Sequence, residues 1–201
     1  MFVQVISGTV TDLDAFERLG ERWEQELRPG ATGFLGTTEG VTDDGRFVLV
    51  ARFESKEAAS ANSARPEQGE FAAEMQQVTS DVVFHDCSRV VTLFGGGKDT
   101  AAFVQVMRGR VRDTAQADDL FAHTADTEKV LGAARPDVVG EVIAIHDDGD
   151  GYTDVVYFSS EAEARANEQR ELPPEAQARL QQLQSALEID EYLDLTRLHL
   201  R

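Results

Sequence analysis

Apolar residues recur along this chain with two periods, and the periods alternate. Phe2–Val10, Gly33–Val41, Phe47–Phe53 and Val82–Phe94 are runs rich in Val, Phe and Thr, bounded by Gly, Pro, Asp and Ser; such runs predict strands. Between the first two runs, Leu13, Phe16, Leu19, Trp23 and Leu27 fall three or four positions apart, which is one stripe of a helix. Thr11 or Asp12 can cap its first turn and Pro29-Gly30 ends it. Asp43-Asp44-Gly45 predicts a hairpin turn between the second and third strands. Ser55 caps a second helix, which Pro66 interrupts and Phe71–Val78 continues. The order is β-α-β-β-α-β.

The same order occurs twice. Phe2-Val3-Gln4-Val5 returns as Phe103-Val104-Gln105-Val106, and the pattern Gly8, Val10, Asp12 returns as Gly109, Val111, Asp113. Asp43-Asp44-Gly45 matches Asp147-Asp148-Gly149, Ala61-Asn62 matches Ala166-Asn167, Arg65 matches Arg170, and Asp86-Cys87-Ser88-Arg89 matches Asp194-Leu195-Thr196-Arg197. The matches are colinear, and each increase in their offset falls in a predicted helix or loop. In the second copy the strands read Phe103–Val111, Val138–His146, Thr153–Phe158 and Tyr192–Leu200. A helix is predicted over Thr114–Leu131, and another breaks at Pro173-Pro174. Gly95-Gly96-Gly97-Lys98-Asp99 links a first repeat, residues 1–95, to a second, residues 101–201.

Each repeat is predicted to be a ferredoxin-like α+β unit, a four-stranded antiparallel sheet with helices on one face. The bare face must be buried, and in a tandem chain the other copy can cover it. The expectation is two sheets packed as an intramolecular eight-stranded α+β barrel with helices outside, a pseudo-dimer in one chain. The repeat, Gly33-Phe34-Leu35-Gly36, the Asp-Gly hairpin and the Phe53–Ala59 run resemble the dimeric α+β barrel proteins. Among these they are most similar to the antibiotic biosynthesis monooxygenase family, here in tandem form. That resemblance implies a cavity in each repeat between sheet and helices. It also implies an oxidation of electron-rich phenols or anthrones with no cofactor, in which a deprotonated substrate reduces O2 directly. The protein then supplies a base, an oxyanion partner and an apolar pocket.

On that basis the candidate catalytic residues are His85, Asn62, Trp23 and Arg65, and the candidate substrate contacts are Gln4, Phe71 and Phe34. Each has a plainer reading. Trp23 sits on the helical stripe and can be core. His85 lies in an apolar strand, where its neighbour Asp86 points to the opposite face and cannot orient it. Asn62 and Arg65 recur as Asn167 and Arg170 and can serve the helical break. Gln4 and Gln105 can meet across the pseudo-twofold axis or face a cavity. Trp23 and His85 lack counterparts in the second copy, so at most one active cavity is expected, in the first repeat, with a volume of several hundred Å³. Two other functions remain open: a non-catalytic small-molecule binder, and a haem-binding or haem-degrading protein using His85 or His123.

Composition narrows the partners. With 19 Lys+Arg against 37 Asp+Glu the net charge is −18, which argues against nucleic acid and against anionic membranes. The excess is divided between the repeats, so it is read as two solvated helical layers. Cys87 is the single cysteine, leaving no internal disulfide and no Cys-based zinc site. His123, His146 and His199 are dispersed with no metal-ligand spacing, so neither a metal nor a cofactor is expected. No signal or membrane segment is read at the N-terminus, and the expected compartment is cytoplasmic. The expected ligand is an aromatic small molecule, with further homodimerisation of the pseudo-dimer left open.

Overall fold

The computed structural model describes residues 1–201. The first half contains β1 (Phe2–Val10), α1 (Leu13–Arg22), β2 (Phe34–Val41), β3 (Arg46–Phe53), α2 (Lys56–Ser63), α3 (Pro66–Val78), β4 (Thr79–Cys87) and β5 (Arg89–Leu93). The second contains β6 (Phe103–Val111), α4 (Thr114–Ala122), α5 (Thr124–Ala134), β7 (Val138–Ile145), β8 (Gly151–Phe158), α6 (Glu161–Glu168), α7 (Pro174–Ala186), β9 (Leu187–Leu195) and β10 (Arg197–Leu200). A π-helical turn, Trp23–Leu27, extends α1.

The matches between the copies have local physical causes. Asp12 and Asp113 accept the Ala15 and Gln116 N–H groups at 3.0 and 2.9 Å, and Ser55 and Ser160 cap α2 and α6 in the same way. These are side-chain oxygens satisfying free helix N–H groups. Gly8 and Gly109 sit where the first strand of each repeat shifts register, β1 against β4 and β6 against β9. A Cβ on Gly8 would lie 2.7 Å from the Ser80 carbonyl oxygen, and one on Gly109 only 1.8 Å from that of Glu188. No side chain fits such an approach.

Two antiparallel five-stranded sheets form, with orders β10-β2-β3-β1-β4 and β5-β7-β8-β6-β9. The expected last strand of each repeat is therefore two strands. Cys87 ends β4, and after Ser88 the chain crosses to pair β5 with β7 of the other repeat. After Thr196 it crosses back, and β10 pairs with β2. Each half thus closes the edge of the other's sheet, giving ten strands rather than eight. The predicted helix over Thr114–Leu131 is also two helices, broken at His123.

The faces of the sheets turned towards each other bury one cluster that includes Val3, Val5, Val48 and Val50 of the first half and Val104, Val106, Val142 and Val155 of the second. Burial of Val side chains contributes about 1.5–3 kcal/mol each, so neither half has a complete interior without the other. A polar contact crosses this core, where Arg52 Nη1 donates to Thr38 Oγ1 at 2.9 Å and to the Tyr157 hydroxyl at 3.3 Å. No helix is long and apolar enough to cross a membrane. The outer faces of the sheets turn to the helices, and there the cavities lie.

Candidate functional site

A cavity of about 320 Å³ lies in the first repeat between the outer face of the sheet and α1, α2 and α3. Strand alternation decides which side chains reach it. Gln4 and Ile6 of β1, Thr37 and Glu39 of β2, and Leu49, Ala51 and Phe53 of β3 share that face and form the floor. Phe16, Gly20 and Trp23 roof one side, and Asn62, Gln68, Phe71 and Met75 the other. Trp23 packs edge-on to Phe34 with ring centroids 5.0 Å apart, and Phe34 in turn to Phe53 at 5.6 Å. These aromatic edges and faces suit a flat apolar ligand. Of the sequence candidates, Trp23, Asn62, Gln4, Phe71 and Phe34 all line this space.

Several polar atoms here are already engaged. Trp23 Nε1 donates to Gln68 Oε1 at 3.0 Å, so the indole is held in place by its neighbour. Gln4 Nε2 donates to Asp86 Oδ1 at 3.1 Å, and Gln105 Nε2 does the same to Asp194 at 2.9 Å. The two glutamines therefore satisfy themselves within their own sheets and do not meet across the pseudo-twofold axis. Asn62 lines the cavity, and its Oδ1 accepts from Arg65 Nη1 at 3.0 Å.

Arg65 does not line the cavity. It spans the break between α2 and α3, donates to the Leu27 carbonyl oxygen at 2.9 Å, and pairs with Glu67 at 3.0 Å. It clips the end of the first helical segment to the second and orients Asn62. The second copy uses its pair differently: Asn167 Nδ2 turns back to the Glu163 carbonyl oxygen at 3.0 Å, and Asn167 does not line the large cavity of its repeat.

His85 also lies outside the cavity. It pairs with Val5 in the sheet while Asp86 pairs with Gln4, so it shares the inward face of Val5 and points at the other repeat. There its ring stacks on His146. His123 sits exposed at the α4–α5 junction, its Nδ1 donating to the Asp119 carbonyl oxygen at 2.7 Å. No histidine lines either large cavity.

The group that sequence reading missed is Glu39. It is 5 % exposed, yet it makes no side-chain hydrogen bond. Burial pushes its carboxyl up to about 7, and the charge of Arg201 pulls only partly the other way. Its carboxylate rests against α1 at Gly20, where a Cβ would stand 3.4 Å from Glu39 Oε1. Arg201 reaches the site because β10 is exchanged; its backbone pairs with Thr37, its side chain donates to the Gly20 carbonyl oxygen, and it forms an ion pair with Glu24 at 3.4 Å. The signal for Glu39 in the sequence was an acid two positions from Thr37 and Val41 on one face of an otherwise uncharged strand.

The second repeat holds a larger cavity, about 450 Å³. It was expected mainly to complete the barrel. Register equates Thr37, Glu39 and Leu49 with Glu141, Ile143 and Asp154, so here the acids stand at different positions of the same face. Glu141 and Asp154 both line the cavity, and desolvation pushes both carboxyls above the usual carboxylate range, with Glu141 reinforcing the rise at Asp154. Asp154 Oδ1 has no hydrogen-bond partner.

The fold is a tandem α+β barrel with one large lined cavity in each repeat. The sequence matches no family model and no curated protein. The structure is similar to that of a "putative monooxygenase" from Lactobacillus acidophilus NCFM, with TM-score 0.73, 13% identity, and 100% of this chain and 98% of that one covered. A second "putative monooxygenase", from Fusobacterium nucleatum, superposes with TM-score 0.76 at 9% identity over 100% and 93% of the two chains. An "anthrone oxidase-like protein" gives TM-score 0.69 at 15% identity over 100% and 92%. At these identities the likeness is one of fold.

Proposed function

We propose that the first-repeat cavity binds a flat aromatic molecule with a weakly acidic C–H or O–H, and that Glu39 is the base of a cofactor-independent monooxygenation. The observation that carries this reading is a buried, unbonded carboxylate at the floor of an apolar, aromatic-lined cavity. A general base is most effective when it titrates near the working pH, which desolvation achieves for Glu39. The Asn62 amide, aimed by Arg65, is a donor for the oxygen on which negative charge collects. Resemblance to proteins described as monooxygenases and anthrone oxidase-like supports the choice of reaction class without fixing the substrate.

For an anthrone the step balances without a cofactor. Glu39 takes a proton from the methylene carbon, the resulting carbanion gives electrons to O2, and a C–O bond forms as a peroxide. Loss of water leaves the carbonyl, so CH2 + O2 becomes C=O + H2O. The charged groups facing Glu39 are Arg201 and, paired with it, Glu24. The rate is expected to rise as pH passes through about 7 and Glu39 loses its proton.

The test is O2 uptake with anthrone and related phenols by the wild type and by Glu39→Gln. Loss of uptake by at least a hundredfold in the variant, with ligand binding retained, is the expected result. Binding of these ligands without O2 uptake in the wild type would make the protein a binder, and uptake unchanged in Glu39→Gln would remove Glu39 as the base.

A further inference from the structure

Away from both cavities, β4 of the first repeat meets the β7–β8 hairpin of the second, and two imidazoles lie face to face there. The rings of His85 and His146 are 3.9 Å apart and 8° from parallel. Asp148 Oδ2 lies 3.1 Å from His85 Nδ1. One ligand atom from each of His85, His146 and Asp148 falls within 4.8 Å of the other two. None of the three lines either large cavity, and the chemistry of Glu39 does not use them.

The buried ring is oriented from behind. His146 Nε2 is 3.0 Å from Thr153 Oγ1. With Nε2–H donating to that hydroxyl, the lone pair of Nδ1 is the one left for a ligand. Beside it is Gly151, where a Cβ would stand 2.6 Å from Nδ1 and crowd it. Asp148 is at the hairpin tip with its side chain 63% exposed, free to close on an ion.

The barrel does not require this trio. Register equates His146 and Asp148 with Thr42 and Asp44 of the first repeat, and His85 with Leu193 of the second. At that pseudosymmetric corner the same architecture closes with Thr42, Asp44 and Arg46 bonded to one another, and no histidine.

We propose that His85, His146 and Asp148 bind a divalent transition-metal ion of the zinc, cobalt or nickel type, joining the two repeats. Two imidazoles and one carboxylate suit these ions, whereas calcium and magnesium take oxygen ligands. The in-plane lone pairs of two parallel rings 3.9 Å apart do not meet at one ion, so bond lengths of about 2.0–2.2 Å require the half-buried His85 ring to turn out of the stack as Asp148 closes. The remaining coordination positions face solvent and would carry water. Lys56 sits between Asp86 and Asp147 at 3.5 and 3.6 Å, and Asp147 is held by Ser88, so these neighbours are engaged elsewhere.

The test uses the full chain without an affinity tag, treated with EDTA and titrated with Co(II), following its visible absorption, and with Zn(II) against a chromophoric chelator. One equivalent is expected to bind and to raise the thermal midpoint. His146→Gln and His85→Gln should each weaken binding at least tenfold. Asp148→Asn, at an exposed tip where folding is not at stake, should do so as well. A wild type that gives neither a Co(II) spectrum nor a thermal shift with excess Zn(II) would overturn the proposal. So would three variants that titrate like the wild type, since the ion would then sit on other surface groups.

Discussion

Replacing Glu39 by glutamine should stabilise the protein at neutral and alkaline pH. The ordinary glutamate value is 4.5, and burial raises Glu39 to about 7. Between those values the folded state holds a proton that the unfolded chain has released, so stability falls as pH rises through this window. The raised acid contributes no penalty below the unfolded value and its full penalty above the folded one. A difference of about 2.5 pH units at 1.36 kcal/mol each gives a cost of about 3 kcal/mol at pH 8. The glutamine side chain carries no charge and fills the same space, so Glu39→Gln escapes that cost. At about 2–4 °C per kcal/mol for a chain of this size, the midpoint should rise by about 6–12 °C at pH 8. Urea denaturation of both proteins at pH 4 and pH 8 measures the difference directly. Comparison with the variant cancels the other titrating groups, including the Glu141–Asp154 pair. An offset between the two proteins that is the same at both pH values would refute the reasoning, because it would mean that the carboxylate is not desolvated. With the activity test, this makes Glu39 a residue that destabilises the fold in the form that does the chemistry.

Two other perturbations test the neighbouring packing. Arg65→Ala leaves the Leu27 carbonyl oxygen and Asn62 Oδ1 without their shared donor; a loss of about 1–3 kcal/mol in denaturant titrations is expected, together with weaker ligand binding, and an unchanged midpoint would contradict the clip. Cys87 is fully buried and its thiol is pushed up to about 12 by burial first and by Asp147, Asp86 and Asp148 next. Thiol reagents at pH 8 should leave it unmodified in the native protein and label it in denaturant, and rapid native labelling would show that the barrel interior opens.

Much of the fold was legible because it follows from local causes. Asp12 and Asp113 cap helices, Pro66 and Pro174 begin them, and Gly8 and Gly109 mark a close strand approach; each leaves a trace in one short stretch of sequence. The break at His123 was not legible, since a helical apolar stripe runs through it. The strand exchange was equally hidden. Val82–Phe94 reads as a single apolar run, and nothing local to Ser88 says that the residues after it pair with β7 rather than continue along β1. Pairing partners are chosen by which edge is open, and that is a property of the assembled sheets.

The site divides along the same line. The aromatic wall, Trp23, Phe34 and Phe71, follows from apolar periodicity and from the β-α-β-β-α-β order, which puts helices over one sheet face. His85 was drawn towards the cavity because it is chemically capable, but strand parity sends it to the opposite face. Glu39 could be counted in the sequence as one of 37 acids. Its altered acidity exists only because α1 covers it and no donor reaches it. The sequence alone determined the duplication, the alternation of elements and the caps, since these depend on contacts a few residues apart. Tertiary structure decided which acid is desolvated, which edge each exchanged strand closes, and that His85 meets His146 and Asp148, since burial and convergence depend on residues that only the folded chain brings together.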